Sequence, residues 1–114
     1  MFSHQKLDVY KLSIEFLKTV HELIRHVPNG NADVINQLRR AVMSVSLNIA
    51  EGAGKTGEND KKRFYAIARG SALECAALLD LLEAWELIRS ELLATPRQAL
   101  HGIVAMLSKL ALKA

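Results

Sequence analysis

The sequence predicts an all-α chain folded as an antiparallel up-down-up-down four-helix bundle. Three observations carry that expectation. Apolar residues recur at steps of three and four through four successive segments, the period of a helix face. Half of the 114 residues are hydrophobic but only 5% are aromatic, and Leu, Ala and Ile dominate, which favours packed helices over a sheet. The breaks between segments are short, and short connections set consecutive helices antiparallel. Residues 1–114 form a single domain, long enough for a core without a disulfide or a structural metal.

Helix one is expected over about residues 7–27. Leu7, Tyr10, Ile14, Leu17, His21 and Ile24 mark one face, while Leu12, Phe16, Val20 and Leu23 mark another. Pro28-Asn29-Gly30-Asn31 then ends the pattern with turn chemistry. Helix two, about 32–52, carries Ile35, Leu38, Val42, Val45 and Ile49 on one stripe and Met43, Leu47 and Ala50 on a second, which implies two partners. Gly52 or Gly54 suits the left-handed residue of a helix C-cap. Gly57 is placed to cap helix three, about 58–89, with Glu58 and Asp60 favourable to its dipole. Its stripe is Phe64, Ala68, Ser71, Cys75, Leu78, Leu82 and Trp85, thickened by Ile67, Leu81, Ala84 and Ile88. Thr95-Pro96-Arg97-Gln98 reads as a capping box opening helix four, about 96–113, whose stripe is Leu100, Val104, Leu107 and Ala111.

The glycine-rich segment Glu51-Gly52-Ala53-Gly54-Lys55-Thr56-Gly57 imitates a nucleotide loop and fails as one. A phosphate-binding loop needs a glycine five residues before Gly54, where Ile49 stands. Both glycine motifs also need a strand before them, and here a helix leads in. No other chemistry replaces it: His4, His21, His26 and His101 lack metal-ligand spacing, and His21 falls on a core-facing step. Cys75, the single cysteine, lies on an apolar stripe without an activating base. Arg97 and His101 lack the extra intervening residues of the helical-bundle ribonuclease motif. The expectation is no enzyme, no cofactor and no metal. A soluble, cytoplasmic protein is expected, since no stretch approaches the ~18 apolar residues of a membrane span.

Two polar features remain. Gln37, Ser44, Asn48 and Glu51 form a ladder along helix two, and short Ser and Asn side chains are poor choices for a merely solvated helix interior. Folding helix three back sets Arg40 near Ser71 and Glu74, so an Arg40–Glu74 pair beside Ser44 and Ser71 is expected, with Gly70 allowing close approach. The second feature is charge. Residues 39–69 hold seven basic residues (Arg39, Arg40, Lys55, Lys61, Lys62, Arg63, Arg69) against three acidic ones, a net +4 within a chain of net +3. Arg39, Lys55, Lys61, Lys62, Arg63 and Arg69 are the candidates to meet nucleic-acid phosphates.

The string Gln37-Leu38-Arg39-Arg40-Ala41, Ser44, Asn48-Ile49-Ala50-Glu51-Gly52, Phe64, Ala68-Arg69-Gly70-Ser71 and Glu74 resembles the bacterial four helix bundle protein family, first noticed as reading frames in intervening sequences of large-subunit ribosomal RNA genes. The match runs almost end to end. Gly57 departs from the family's usual Ser or Thr, Lys61 from a common apolar residue and Leu87 from a frequent glycine. The family in turn resembles the accessory protein of diversity-generating retroelements, a pentameric barrel that associates with a reverse transcriptase and nucleic acid. The resemblance implies a homo-oligomer, a pentamer, with RNA or DNA and a reverse transcriptase or other protein as partners. A protein adaptor without nucleic acid, using the Asp80, Glu83, Glu86 and Glu91 region or the apolar second stripes as its contact, is the competing expectation.

Overall fold

The computed structural model describes residues 1–112; Lys113, at the end of the expected fourth helix, lies outside the described residues. Four helices follow in order: α1 (Asp8–Ile24), α2 (Ala32–Gly54), α3 (Glu58–Ala84) and α4 (Ala94–Leu112). Each packs on its sequence neighbours and α4 closes on α1, giving the up-down-up-down ring the periodicity requires. The bundle measures 44 × 27 × 22 Å. Short 3-10 turns, Ser3–Lys6 and Ser90–Leu93, precede α1 and α4.

The core is filled by Phe16, Val20 and Leu23 of α1, Leu38, Val42, Val45 and Ile49 of α2, Ala68, Ala72, Cys75, Leu79 and Leu82 of α3, and Leu100, Ile103 and Leu107 of α4. On α1 the Phe16 stripe is thus the innermost one, while Leu7, Tyr10 and Leu17 only border the core. His21, expected to face inward, is exposed: it stands on the rim of a groove between α1 and α2, beside Leu17, Ile24, Val42 and Met43. Where α1 crosses α2 two small hydroxyls replace bulk. Ser46 Oγ donates to Ser13 Oγ at 2.9 Å, and Ser13 Oγ donates to the Tyr10 carbonyl at 2.7 Å. Burying them is tolerated because each is hydrogen-bonded.

The helix ends differ from expectation. α2 runs to Gly54 and leaves through Lys55 in extended conformation (φ −78°, ψ 151°), so neither Gly52 nor Gly54 is a left-handed cap. Gly52 is needed for space: a Cβ there would stand 2.8 Å from a ring carbon of Tyr65. α3 stops at Ala84, five residues before the expected end. Glu86 takes the left-handed conformation (φ 56°), and the Leu87 and Glu86 amides bond to the carbonyls of Leu82 (2.9 Å) and Glu83 (3.0 Å), the paired bonds of a Schellman ending. Trp85 leaves the core stripe and is 65% exposed. α4 starts at Ala94, so Thr95 and Pro96 lie in its first turn and Thr95 is no N-cap. Proline is accommodated there because first-turn N–H groups have no intrahelical acceptor.

Candidate functional site

The α2–α3 turn organises the basic segment, and the fold divides its cations by task. Gly57 (φ −87°, ψ 138°) is the N-cap of α3, with Glu58 and Asp60 in the first turn. Lys61 turns back onto α2: its Nζ donates to the carbonyls of Ala53 at 3.1 Å and Gly52 at 3.4 Å. It closes the C-terminus of α2, so its ammonium is engaged within the fold. Lys55 lies 3.9 Å from Glu51 and 5.1 Å from the Phe64 ring centroid. Arg63 stands 4.5 Å from the same centroid and 3.7 Å from Asp60. Arg69 Nε donates to Ser108 Oγ on α4 at 2.8 Å, which holds its guanidinium in place. Lys62 is half-buried and has no carboxylate within 4.0 Å among the described residues. Arg39 does not belong to the cluster. It sits sixteen residues before Lys55 on one helix, about 24 Å away, at the mouth of a groove with Leu17, His21 and Met43.

Sequence reasoning missed part of this surface, because its residues are far apart in the chain. The 3-10 turn at Ser3–Lys6 packs on α2, and His4 shares a groove with Leu47, Gly54 and Lys55. The Arg69–Ser108 bond sets the last turns of α4 beside the middle of α3. Lys6, the last residue of the 3-10 turn, and Lys109, next to Ser108, thus stand on elements that pack against α2 and α3. The end of the bundle opposite the α2–α3 turn carries Asp80, Glu83, Glu86 and Glu91 near the α3–α4 connection. The signal was available only as topology: in an antiparallel bundle the start of α1 and the end of α4 lie toward the α2–α3 turn.

The acidic end contains a clamp. Arg97 of α4 donates to Asp80 and to Glu83 of α3, each at 2.9 Å. The bond from Arg97 holds the Glu83 carboxyl below the usual carboxylate range, and the same carboxylate raises Arg97. Arg97 and His101 line a groove of about 400 Å³ between α3 and α4, with the guanidinium engaged by its two carboxylates. Cys75 is fully buried, and its thiol is pushed up to about 12, first by burial and then by Glu74. No group of three or more His, Cys, Asp or Glu among the described residues is placed to hold a metal. No helix there is long and apolar enough to cross a membrane.

The polar ladder is present in altered form. Ser44 Oγ and Ser71 Oγ lie 2.7 Å apart across α2 and α3. Asn48 Nδ2 donates to the Ser44 carbonyl at 2.8 Å and to Ser44 Oγ at 3.0 Å. Glu74 accepts from Gln37 at 3.5 Å rather than from Arg40. Arg40 is exposed and has no carboxylate within 4.0 Å among the described residues, because one residue before buried Ala41 is a rotation of ~100° away from the contact. Glu51 turns to Lys55. Gly70, expected to ease the α2–α3 approach, faces open space.

Apolar surface is left outside. Met43 (48% exposed) and Leu47 (64%) lie on α2, and Ile67, Leu73 (46%) and Leu81 on α3. Ala66, Gly70, Ala77 and Ala84 continue that outer face of α3 at steps of four and seven. A family model described as 23S rRNA-intervening sequence protein matches residues 5–109, from the turn before α1 into the last turn of α4. No curated protein matches the chain.

Proposed function

The chain belongs to the 23S rRNA-intervening sequence protein family, and on that premise we propose that it is a non-catalytic, self-associating helical bundle whose basic end holds RNA or DNA. One observation carries the reading: Lys55, Lys62 and Arg63 gather around the α2–α3 turn, and farther along α3 Arg69 is held in position by Ser108. Phosphate contacts of this kind give affinity without sequence readout. Self-association is supported by Leu47, Met43, Leu73 and Leu81, which the chain leaves uncovered. In a cyclic oligomer, five copies being the number the resemblance implies, each subunit repeats the basic end, so a modest local charge becomes multivalent. The setting we infer is cytoplasmic, with a reverse transcriptase or another nucleic-acid enzyme as protein partner. The absence of catalysis is part of the proposal, and its support is that Cys75 is buried and Arg97 engaged by carboxylates.

Fluorescence polarisation at low salt tests it, with duplex DNA, single-stranded DNA and structured RNA as probes. Binding should fall steeply as salt rises, and Lys62→Glu with Lys109→Glu should abolish it without loss of helicity. Lys61 stays untouched in that test, since it closes α2. No binding to any probe would sink the reading. The exposed Trp85, beside Leu81 and near Glu83 and Glu86, supports the adaptor as the second reading. A protein partner retained with no nucleic acid, and released by Trp85→Ala, would establish it instead.

A further inference from the structure

We propose that the basic end takes nucleic acid as a double helix in preference to a single strand, through phosphates alone. The proposal rests on the nucleic-acid reading above and specifies the form of the partner.

Proteins that hold single strands combine a basic groove with aromatic rings on which successive bases stack, each stacked base contributing roughly five- to 150-fold in affinity. The basic end lacks such a track. Phe16 is fully buried, and Tyr65, 6% exposed, lies against Gly52. Tyr10 is half-buried and meets His4 edge to face at 4.7 Å. Phe64 sits in the middle of the cations, yet it is half-buried with Lys55 and Arg63 standing over its ring. Phe2 is exposed, and its ring is stacked on His4 at 6.1 Å. Trp85, the other exposed ring, is twenty-one residues along α3 from Phe64, about 30 Å away. One terminal ring does not make a platform for successive bases.

What remains is charge, and charge alone favours the duplex. A double helix presents one phosphate per ~1.7 Å of axis and releases more counterions per contact than a single strand. The cations of α3 are also carried on one rigid helix. Lys62 and Arg69 are two turns apart on one side of α3, about 10 Å, a separation comparable to the roughly 6–12 Å widths of duplex grooves. Arg69 is oriented by Ser108. Cations so carried meet a rigid phosphate lattice without the ordering that a flexible strand would require.

The experiment is a polarisation titration of the full chain against a short DNA duplex, the same duplex in RNA, each separated strand and oligo(dT), at matched nucleotide concentration and low salt. Either duplex should bind roughly fivefold or more tighter than its strands, with the steeper salt slope. Phe2→Ala and Phe64→Leu should change affinities by less than about twofold, since no ring stacks on a base. Tighter binding to any single strand, or a loss above about fivefold in either variant, overturns the proposal while leaving nucleic-acid binding intact. No binding to any probe overturns the underlying reading with it. Should Phe64→Leu fail to fold by circular dichroism, the ranking of duplex against strands by the unaltered protein decides alone.

Discussion

Gly52 and Glu86 carry opposite backbone costs. Gly52 stands in the middle of a turn of α2, where alanine would be favoured by about 1 kcal/mol in propensity. The Tyr65 ring occupies the space the methyl group would need, at 2.8 Å, and overpacking costs about 1–3 kcal/mol. Gly52→Ala should therefore lower stability by about 1 kcal/mol, read as a lower urea midpoint at unchanged slope; a gain would show that Tyr65 moves freely. Glu86 holds a left-handed conformation that costs a side chain about 1–2 kcal/mol. Glu86→Gly should raise stability by about 1 kcal/mol, part of the relief being lost to chain entropy. This residue also explains the late end expected for helix three. The usual glycine signal is missing, so apolar steps through Trp85 and Ile88 read as continued helix.

At the scale of elements, α3 and α4 are joined by the Arg97 clamp, and α2 and α3 by Lys61 and the Ser44–Ser71 contact. Glu83 titrates lower in the folded chain than when free, chiefly through its bond from Arg97. A depressed carboxylate contributes stability above its unfolded pKa and loses it as pH falls through the folded value. Glu83→Gln should thus be destabilising at neutral pH and should flatten the acid limb of stability below about pH 4.3, measured by urea midpoints across pH. Parallel acid limbs in the two proteins would refute the linkage. Lys61 lies near the α2 C-terminus, where a cation is worth about 0.3–1 kcal/mol. Lys61→Met should cost that much in stability, and an unchanged midpoint would return Lys61 to the group of free surface cations. Its role was hidden because a lysine in a basic run looks the same in sequence whether it meets solvent or a carbonyl.

For the whole molecule, the long axis of 44 Å separates a basic end from an acidic one, and the apolar outer faces of α2 and α3 run between them. If those faces bind copies of the same chain, charges placed there should disperse the assembly without unfolding the subunit. Leu47→Glu combined with Leu73→Glu should give a monomer of unchanged helicity by light scattering, since both positions are about half or more exposed. An assembly of unchanged mass would remove these faces from the interface.

The number, order and type of the helices follow from local periodicity, because a 3.6-residue repeat of apolar side chains is written within each segment. The antiparallel ring follows from the short connections between those segments. What a side chain faces is not local, and four assignments turned on it. Phe16 or Leu7 could have led inward on α1; Arg40 could have met Glu74 had it not rotated past the contact; Lys61 could have faced solvent. Lys6 and Lys109 have no mark in sequence that sets them on elements packed beside α2 and α3. Each outcome depends on the position of a neighbouring helix, and that position is set by packing the whole core at once.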